Sequence, residues 1–366
     1  MMTLAYISSE WLFDTDMTVL PLLAKRYNLI FVYTTNFTNP RTDIETVRKM
    51  ASENHFRLEL INGKYKRPDP RNLLLNRKIT SIIIRSNVDI VYKVSTSLYW
   101  LLAAAKLKKP IVYGVHDVIA HPRSRWSNLY QKVADYTFSH NEFFALHSQY
   151  QYEIFKKRFP NKQPSLVGMS VKDFGYSNIK RTNIEDGVNI LFFGRIEEYK
   201  GLDLLIDALE SLYEEGIRNL HLNICGKGPF WDICNGKIKH SEIYTQNIRF
   251  IQNQEIPNLM MSNHFLCLPY RNSTQSGPLM IAANYALPII APKDGEFKNV
   301  YSDDSAILYE EGELKEALKK ASKLSGKQYE ALQKHCQTIK ISYSPGNIVK
   351  RYESIFDKCI KQSQSI

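Results

Sequence analysis

Short apolar runs rich in β-branched and aromatic residues alternate with amphipathic stretches along nearly the whole chain. TLAYIS, NLIFVYTT, DIVYKV, PIVYGVHD, FFALHS and PSLVGM read as strands. VLPLLAKRY, TDIETVRKMASEN, LLLNRKITSIIIRSN, SLYWLLAAAKLKK, NLYQKVADY and YQYEIFKKRF read as the helices between them. A polar, apolar-poor stretch, Tyr176 to Gly187, then interrupts the pattern and reads as a linker. The alternation restarts with NILFFG, LDLLIDALESLYEEG, LHLNICG and NIRFI, and continues through HFLCLP, LMIAANYA, PIIAP, SAILY and ELKEALKKASKL. Repeated βα units on both sides of a linker predict an α/β protein of two Rossmann-like, doubly wound parallel sheets. The expected boundaries are 1–178 for the first, 179–345 for the second, and 346–366 for a last amphipathic segment. That segment places Ile348, Tyr352, Ile355 and Phe356 on one helical face, and the expectation is that it packs back on the first domain.

At 366 residues the chain is too long for one ordinary core, which agrees with two domains. MMTLAYISSEWLF lacks a basic leader and reads as a first strand, and no apolar run is long enough to span a membrane. The five cysteines are scattered without metal or redox spacing, which points to buried free thiols in a reducing cytoplasm. The net charge of +11 favours anionic partners: nucleic acid, phospholipid headgroups or phosphorylated small molecules. Basic clusters lie at Lys64, Lys66, Arg67 and Arg71, at Lys106, Lys108 and Lys109, and at Lys156, Lys157 and Arg158. They are solvated faces or a peripheral membrane contact of the first half. The chain has 22 tyrosines, some near these cations, but no nucleic-acid-binding signature, so nucleic acid is not expected as a partner.

Ligands of such sheets bind beyond the strand carboxyl ends, so the loops there hold the chemistry. In ILFFGRIEEYKGLDLLIDAL, Gly194 leaves a strand and Lys200-Gly201 opens a helix. Arg195 and Lys200 would converge on the helix N-terminus, where free N–H groups and the dipole favour a diphosphate. Equally, they are surface cations flanking Glu197 and Glu198. In ICGKGPF, Gly226 ends a strand and Gly228 permits close backbone approach. In LPYRNSTQSGPLMIAANYALPIIAP, a polar loop precedes a helix from about Pro278, a residue suited to the first helical position. Ser276, Gly277 and Leu279 could offer backbone N–H groups there.

Those three loops, in that order, resemble the nucleotide-sugar domain of glycosyltransferase family 4 (group 1), retaining enzymes of the GT-B fold. The match covers about Val188 to Tyr309 well and the first half more loosely. The resemblance implies two Rossmann-like domains facing a central cleft, with a C-terminal helix returning to the first. It implies that Arg195 and Lys200 bind the donor diphosphate, that Gly194, Gly226 and Gly228 line the donor site, and that Gln275, Ser276 and Gly277 approach the transferred sugar or its phosphate. One departure is plain: the paired glutamates common in the family are missing, since no acid lies between Pro269 and Lys293. The TQSG form resembles a branch seen in bacterial surface-polysaccharide enzymes.

In the first half, YGVHDVIAHP places His116 and Asp117 at a strand end, with His121 five residues on. His116 could hydrogen-bond a sugar hydroxyl or a developing charge, or be satisfied by backbone; the resemblance favours the former and a catalytic role. Asp117 and His121 are acceptor-side candidates. Asp14 and Asp16 lie in the loop after the first strand, where they could face an acceptor, and Asp16 suits a helix N-cap. His147-Ser148 at a later strand end reads as structural. No metal and no cofactor is expected, since the cations of the donor loop already supply positive charge.

The expected function is transfer of a sugar, with retention, from a nucleotide-diphosphate-sugar to a glycan or lipid-linked glycan. The expected setting is cell-surface polysaccharide synthesis, on the cytoplasmic side of an anionic membrane surface. The alternatives are a nucleotide-sugar epimerase of related fold, which needs a pair of acid/base carboxylates, and a non-catalytic sugar-nucleotide-binding subunit.

Overall fold

The computed structural model describes residues 1–66, 68–119, 127–271 and 276–364. The chain divides into two compact units, Met1–Ser170 with Pro345–Ile366, and Val171–Ser344. The first holds a seven-stranded parallel sheet in the order β3-β2-β1-β4-β5-β6-β7. Its strands are β1 (Thr3–Ser9), β2 (Asn28–Thr35), β3 (Arg57–Asn62), β4 (Ile90–Val94), β5 (Ile111–Val115), β6 (Phe144–Leu146) and β7 (Ser165–Leu166). The second holds a six-stranded parallel sheet, β10-β9-β8-β11-β12-β13. Here the strands are β8 (Val188–Phe193), β9 (Leu220–Cys225), β10 (Tyr244–Asn247), β11 (Phe265–Cys267), β12 (Ile289–Pro292) and β13 (Ala306–Tyr309). Both are Rossmann-like parallel sheets of the kind the βα alternation predicts.

The helices of seven or more residues are α1 (Ile44–Glu53), α2 (Asn72–Arg85), α3 (Leu98–Ala104), α4 (Ser127–His140) and α5 (Gln149–Arg158) in the first unit. The second has α6 (Leu202–Glu214), α7 (Ile256–Ser262), α8 (Gly277–Asn284), α9 (Leu314–Ala321) and α10 (Gly326–Ser342), and α11 (Pro345–Gln364) closes the chain. The central strands are continuous apolar runs because helices cover both faces of a parallel sheet. Leu4 to Ile7 of β1 and Ile190 to Phe192 of β8 are all buried. The α6 helix buries Leu202, Leu205, Ile206, Leu209 and Leu212, a spacing of three and four that makes one apolar face. Serine caps start α3 and α5: Ser97 accepts from Trp100 N–H, and Ser148 from Gln151 N–H.

Three expectations change. The first unit ends at Ser170 rather than at 178, and Tyr176 to Gly187 is not a free linker but part of the second unit. Arg181 anchors it: its guanidinium donates to the carbonyls of Asn263 (2.8 Å), Met260 (3.0 Å) and Tyr285 (3.0 Å). A polar composition concealed this, because the anchoring rests on one long cation and a single core residue, the buried Ile184, rather than on a run of apolar side chains. The helix expected over VLPLLAKRY shrinks to the turn Leu20–Leu23. Finally, β3 and α10 went unread; RLELIN pairs only with β2 at the sheet edge and is half-exposed, so it has no long apolar run to mark it.

The C-terminal helix packs on the first unit as expected. Tyr352 and Phe356 of α11 meet Tyr92 of β4 edge-on, with ring centroids 5.3 and 5.9 Å away.

Removing the Arg181 side chain leaves three part-buried carbonyls without this donor, so Arg181→Ala is expected to cost about 2–4 kcal/mol of stability. Urea unfolding of the two proteins measures this; a change below about 0.5 kcal/mol would mean the segment is not anchored as described.

Candidate donor site

In the second unit the chain leaves β8 toward β9 and β10, then returns to lay β11 against the other side of β8. The carboxyl ends of β8 and β11 therefore flank the topological switch point, where such sheets form a ligand crevice. All three motif loops start at the carboxyl ends of β8, β9 and β11.

Glycine sets how closely those loops approach. Gly194 ends β8, and its N–H donates to Cys225 O (3.0 Å). A Cβ on Gly226 would fall 1.8 Å from Gly194 O, and one on Gly228 would fall 2.1 Å from Ile196 O. Ile196 N–H in turn donates to Lys227 O (3.1 Å). The first two loops are thus zipped backbone to backbone, with no room for side chains between them. On the other side, Gly201 has φ 68° and precedes α6 as its N-cap. A Cβ there would lie 1.9 Å from Pro269 O, in the loop after β11.

Lys200 sits in the 3-10 turn Glu198–Lys200 just before that glycine. Its ammonium stands 3.6 Å from the centroid of the buried Tyr270 ring and 5.0 Å from that of Tyr199. Cation–π attraction holds it there. No carboxylate pairs with it among the described residues, and burial pulls its pKa down from 10.5 to about 7. Arg195, by contrast, is exposed and donates to Glu197 at 2.5 Å. The two cations do not share one environment: Lys200 is held on an aromatic shelf, and Arg195 rests on a neighbouring acid that a phosphate would have to displace.

The residue that organises this turn was not read from the sequence. Arg271, after β11, grips both carboxylate oxygens of Asp203 in the first turn of α6, at 2.9 and 2.6 Å. It also donates to Glu198 O, and its own N–H donates to Tyr199 O (2.9 Å). Burial pushes the Asp203 carboxyl up, but the Arg271 bonds outweigh it and hold the pKa below the usual carboxylate value. The signal was an arginine inside the motif loop; its partner lies 68 residues away, and no spacing rule links them.

Ser276 is the N-cap of α8 and is buried, its hydroxyl 3.3 Å from that of Tyr270. Gly277 is the first helical residue and Pro278 the second, one place later than expected. The Leu279 N–H is not on offer, since it donates to Ser276 O (3.2 Å). Lys172, also unread, brings its ammonium to 3.9 Å from where a Gly277 Cβ would stand, so a cation stands at this helix start. Gln275 lies outside the described residues.

In the first unit, His116 follows β5 and stacks face to face on His147, with centroids 4.1 Å apart and planes 11° apart. His147 is buried, and its Nε2 pairs with the Tyr92 hydroxyl at 2.9 Å. Burial first, and His116 second, push its pKa well below 6.5, so His147 is neutral. Gly114 makes room, because a Cβ there would lie 2.3 Å from that hydroxyl. His147 is thus structural in the way expected, but it also fixes the plane of His116. Asp117 is half-exposed beside it. Asp14 is exposed on the turn Phe13–Asp16. Asp16 is not an N-cap: it ends that turn, is buried, and accepts from the Tyr6 hydroxyl at 2.8 Å. His121 lies outside the described residues. All five cysteines are free and buried.

Residues 187–325 match the family model described as "Glycosyl transferases group 1". No curated protein matches the sequence. Among solved structures, a glycosyltransferase from Rickettsia africae superposes with TM-score 0.73 at 15% identity, covering 98% of this chain and 99% of its own. Sucrose-phosphate synthase from Thermosynechococcus elongatus gives TM-score 0.74 at 11% identity, over 99% and 100%. HepE from Anabaena, in complex with UDP and glucose, gives 0.67 at 14%, over 98% and 99%. At these identities the likeness is one of fold.

If the Arg271–Asp203 pair sets the Lys200 turn, a double-mutant cycle with Arg271→Met and Asp203→Asn should return a coupling of about 2 kcal/mol. The depressed Asp203 carboxyl stabilises the fold above the ordinary carboxylate range, and that share is lost as pH falls through its folded pKa. Arg271→Met should therefore flatten the acid limb of the stability curve. Additive single effects and an unchanged acid limb would remove the pair from this role.

Proposed function

We propose that this chain, whose residues 187–325 match the group 1 glycosyltransferase model, moves a sugar from a nucleoside-diphosphate-sugar to a hydroxyl of a glycan or lipid-linked glycan. The observation that carries the reading is the ammonium of Lys200, held at the β8/β11 switch point with no carboxylate partner among the described residues. A half-buried cation with no carboxylate beside it among the described residues is matched to an external anion, and a diphosphate is the anion that donor chemistry supplies. Bond cleavage leaves negative charge on that diphosphate. Arg195, Lys200 and the start of α8 would stabilise it more strongly in the transition state than in the ground state. Gly194, Gly226, Gly228, Ser276 and Gly277 bring backbone close to the donor, and Gln275 is assigned to the same role. No metal is needed in this scheme, because the neutralising charge comes from side chains.

Retention of anomeric configuration fits a leaving phosphate that takes the acceptor proton itself, so that no strong protein base is required. His116 would hydrogen-bond the transferring sugar, with Asp117, Asp14 and His121 toward the acceptor; Asp16, buried against Tyr6, is a support for that loop. A role in surface-polysaccharide synthesis is supported by the TQSG loop and by the fold likeness to WaaG, described as a lipopolysaccharide-biosynthesis glycosyltransferase (TM-score 0.64, 16% identity, over 96% and 99%). The net charge of +11 supports work at an anionic cytoplasmic membrane face. No helix among the described residues is long and apolar enough to cross a membrane. A fold likeness also exists to a protein described as a UDP-N-acetylglucosamine 2-epimerase from Listeria monocytogenes (TM-score 0.63, 12% identity). Product analysis with donor but no acceptor separates epimerisation from transfer.

Arg195→Ala combined with Lys200→Ala should lower turnover by far more than tenfold; survival within about tenfold, roughly 1.4 kcal/mol, rules out their assigned role. The Lys200 amine adds a pH signature. With a pKa of about 7 it is mostly neutral at pH 8, and a bound diphosphate favours its charged form. Donor binding at pH 8 should therefore take up close to one proton, and affinity should fall as pH rises above about 7. Calorimetry of UDP binding in buffers of different ionisation enthalpy reads the uptake directly. Lys200→Met should abolish it, and buffer-independent heats in the unaltered protein would contradict the coupling.

A further inference from the structure

An open groove of about 830 Å³ runs along the first unit between α3, α4 and the end of α11. Much of its lining is apolar: Leu98, Leu101 and Leu102 from α3, Leu107 from the loop that follows, and Val133 and Tyr136 from α4. Several of these side chains face solvent, where burial would be favourable: Leu102 is 56% exposed, Tyr136 55% and Leu98 44%. Leu129, one turn before Val133 on α4, extends the stripe at 41%.

The unpaired charge beside it is of one sign. Lys106 and Lys108 are exposed on the loop after α3, and Lys109 and Lys132 line the groove itself. None of the four has an ion pair among the described residues. Neighbouring surface charges do pair: Lys162 with Glu142 at 2.7 Å, and Arg158 with Asp135 at 2.8 Å. The local acids are thereby already occupied, Glu142 included, although it too lines the groove. Apolar side chains left open beside unpaired lysines form a surface complementary to hydrocarbon beneath an anionic headgroup.

We propose that this α3–α4 groove docks the protein on an anionic lipid bilayer, with Leu98, Leu102 and Tyr136 entering the acyl region and Lys106, Lys108, Lys109 and Lys132 holding headgroup phosphates. The assignment deepens the membrane part of the proposed function and rests on it. Among the basic residues around Tyr65, by contrast, Arg71 is already held by Asp69 at 2.6 Å.

The test uses the full chain and vesicles of phosphatidylcholine with and without about 30% phosphatidylglycerol, at low and physiological salt. Binding is expected to the anionic vesicles alone, weakening with salt. Lys106→Gln with Lys108→Gln should lower the partition coefficient at least about tenfold, and Leu98→Gln with Leu102→Gln should lower it likewise. All four side chains are exposed or nearly so, so the variants should keep the parent melting temperature and the parent stabilisation by UDP. Because every native cysteine is buried, Leu102→Cys can be labelled with an environment-sensitive dye. Its emission should shift blue and be quenched by brominated acyl chains, while a dye at Phe250→Cys in the second unit should not respond. Vesicle binding that both groove variants retain, or equal responses from the two dyes, would overturn the groove and leave the membrane reading standing. A protein that stays in the supernatant at low salt overturns both, whatever UDP does. A dimer in solution that the Leu98→Gln, Leu102→Gln variant dissociates, with no vesicle binding, would reassign the groove to a second copy of the chain.

Discussion

Everything at the carboxyl edge of the second sheet depends on backbone meeting backbone. The loops after β8 and β9 touch through Gly194 and Gly226, and the turn before α6 touches the loop after β11 through Gly201 and Pro269. Contacts of this closeness exclude any Cβ, and they draw three loops into one continuous rim. The side chains that matter chemically are mounted on that rim. Were the glycines replaced, Lys200 and the start of α8 would separate, although each helix and strand could still form.

On that rim, the positive groups are held in different ways. Arg271 is spent internally, locking Asp203 and the Glu198–Lys200 turn. Arg195 leans on Glu197, a contact that exposure makes weak and exchangeable. Lys200 has only aromatic faces among the described residues, and partial burial disfavours its charge. The arrangement keeps one cation poorly compensated in the unliganded protein, which is a cost to stability and a gain for an incoming anion.

The first unit applies a similar logic to histidine. A glycine at 114 lets the Tyr92 hydroxyl reach His147, and the neutral imidazole of His147 supports His116 from behind. The C-terminal helix completes the arrangement, with the Tyr352 hydroxyl 3.3 Å from that of Tyr92. Packing of a terminal helix thus reaches, through two tyrosines, to a residue at a strand end.

Read alone, the amino-acid order determined the two βα repeats, the strand ends that carry Gly194, Gly226 and His116, and the amphipathic face of α6, because hydrophobic periodicity and glycine placement are local properties. It also determined the family resemblance, since three motif loops recur in order. What only the tertiary structure decided are the pairings across long separations. Arg271 finds Asp203, Arg181 anchors a stretch that reads as a linker, His147 stacks on His116, and Asp16 turns inward to Tyr6. Each is a polar contact between residues that no helical or strand period relates. The unpaired lysines beside an open apolar groove belong to the same class, because a charge is known to lack a partner only once its neighbours are in place.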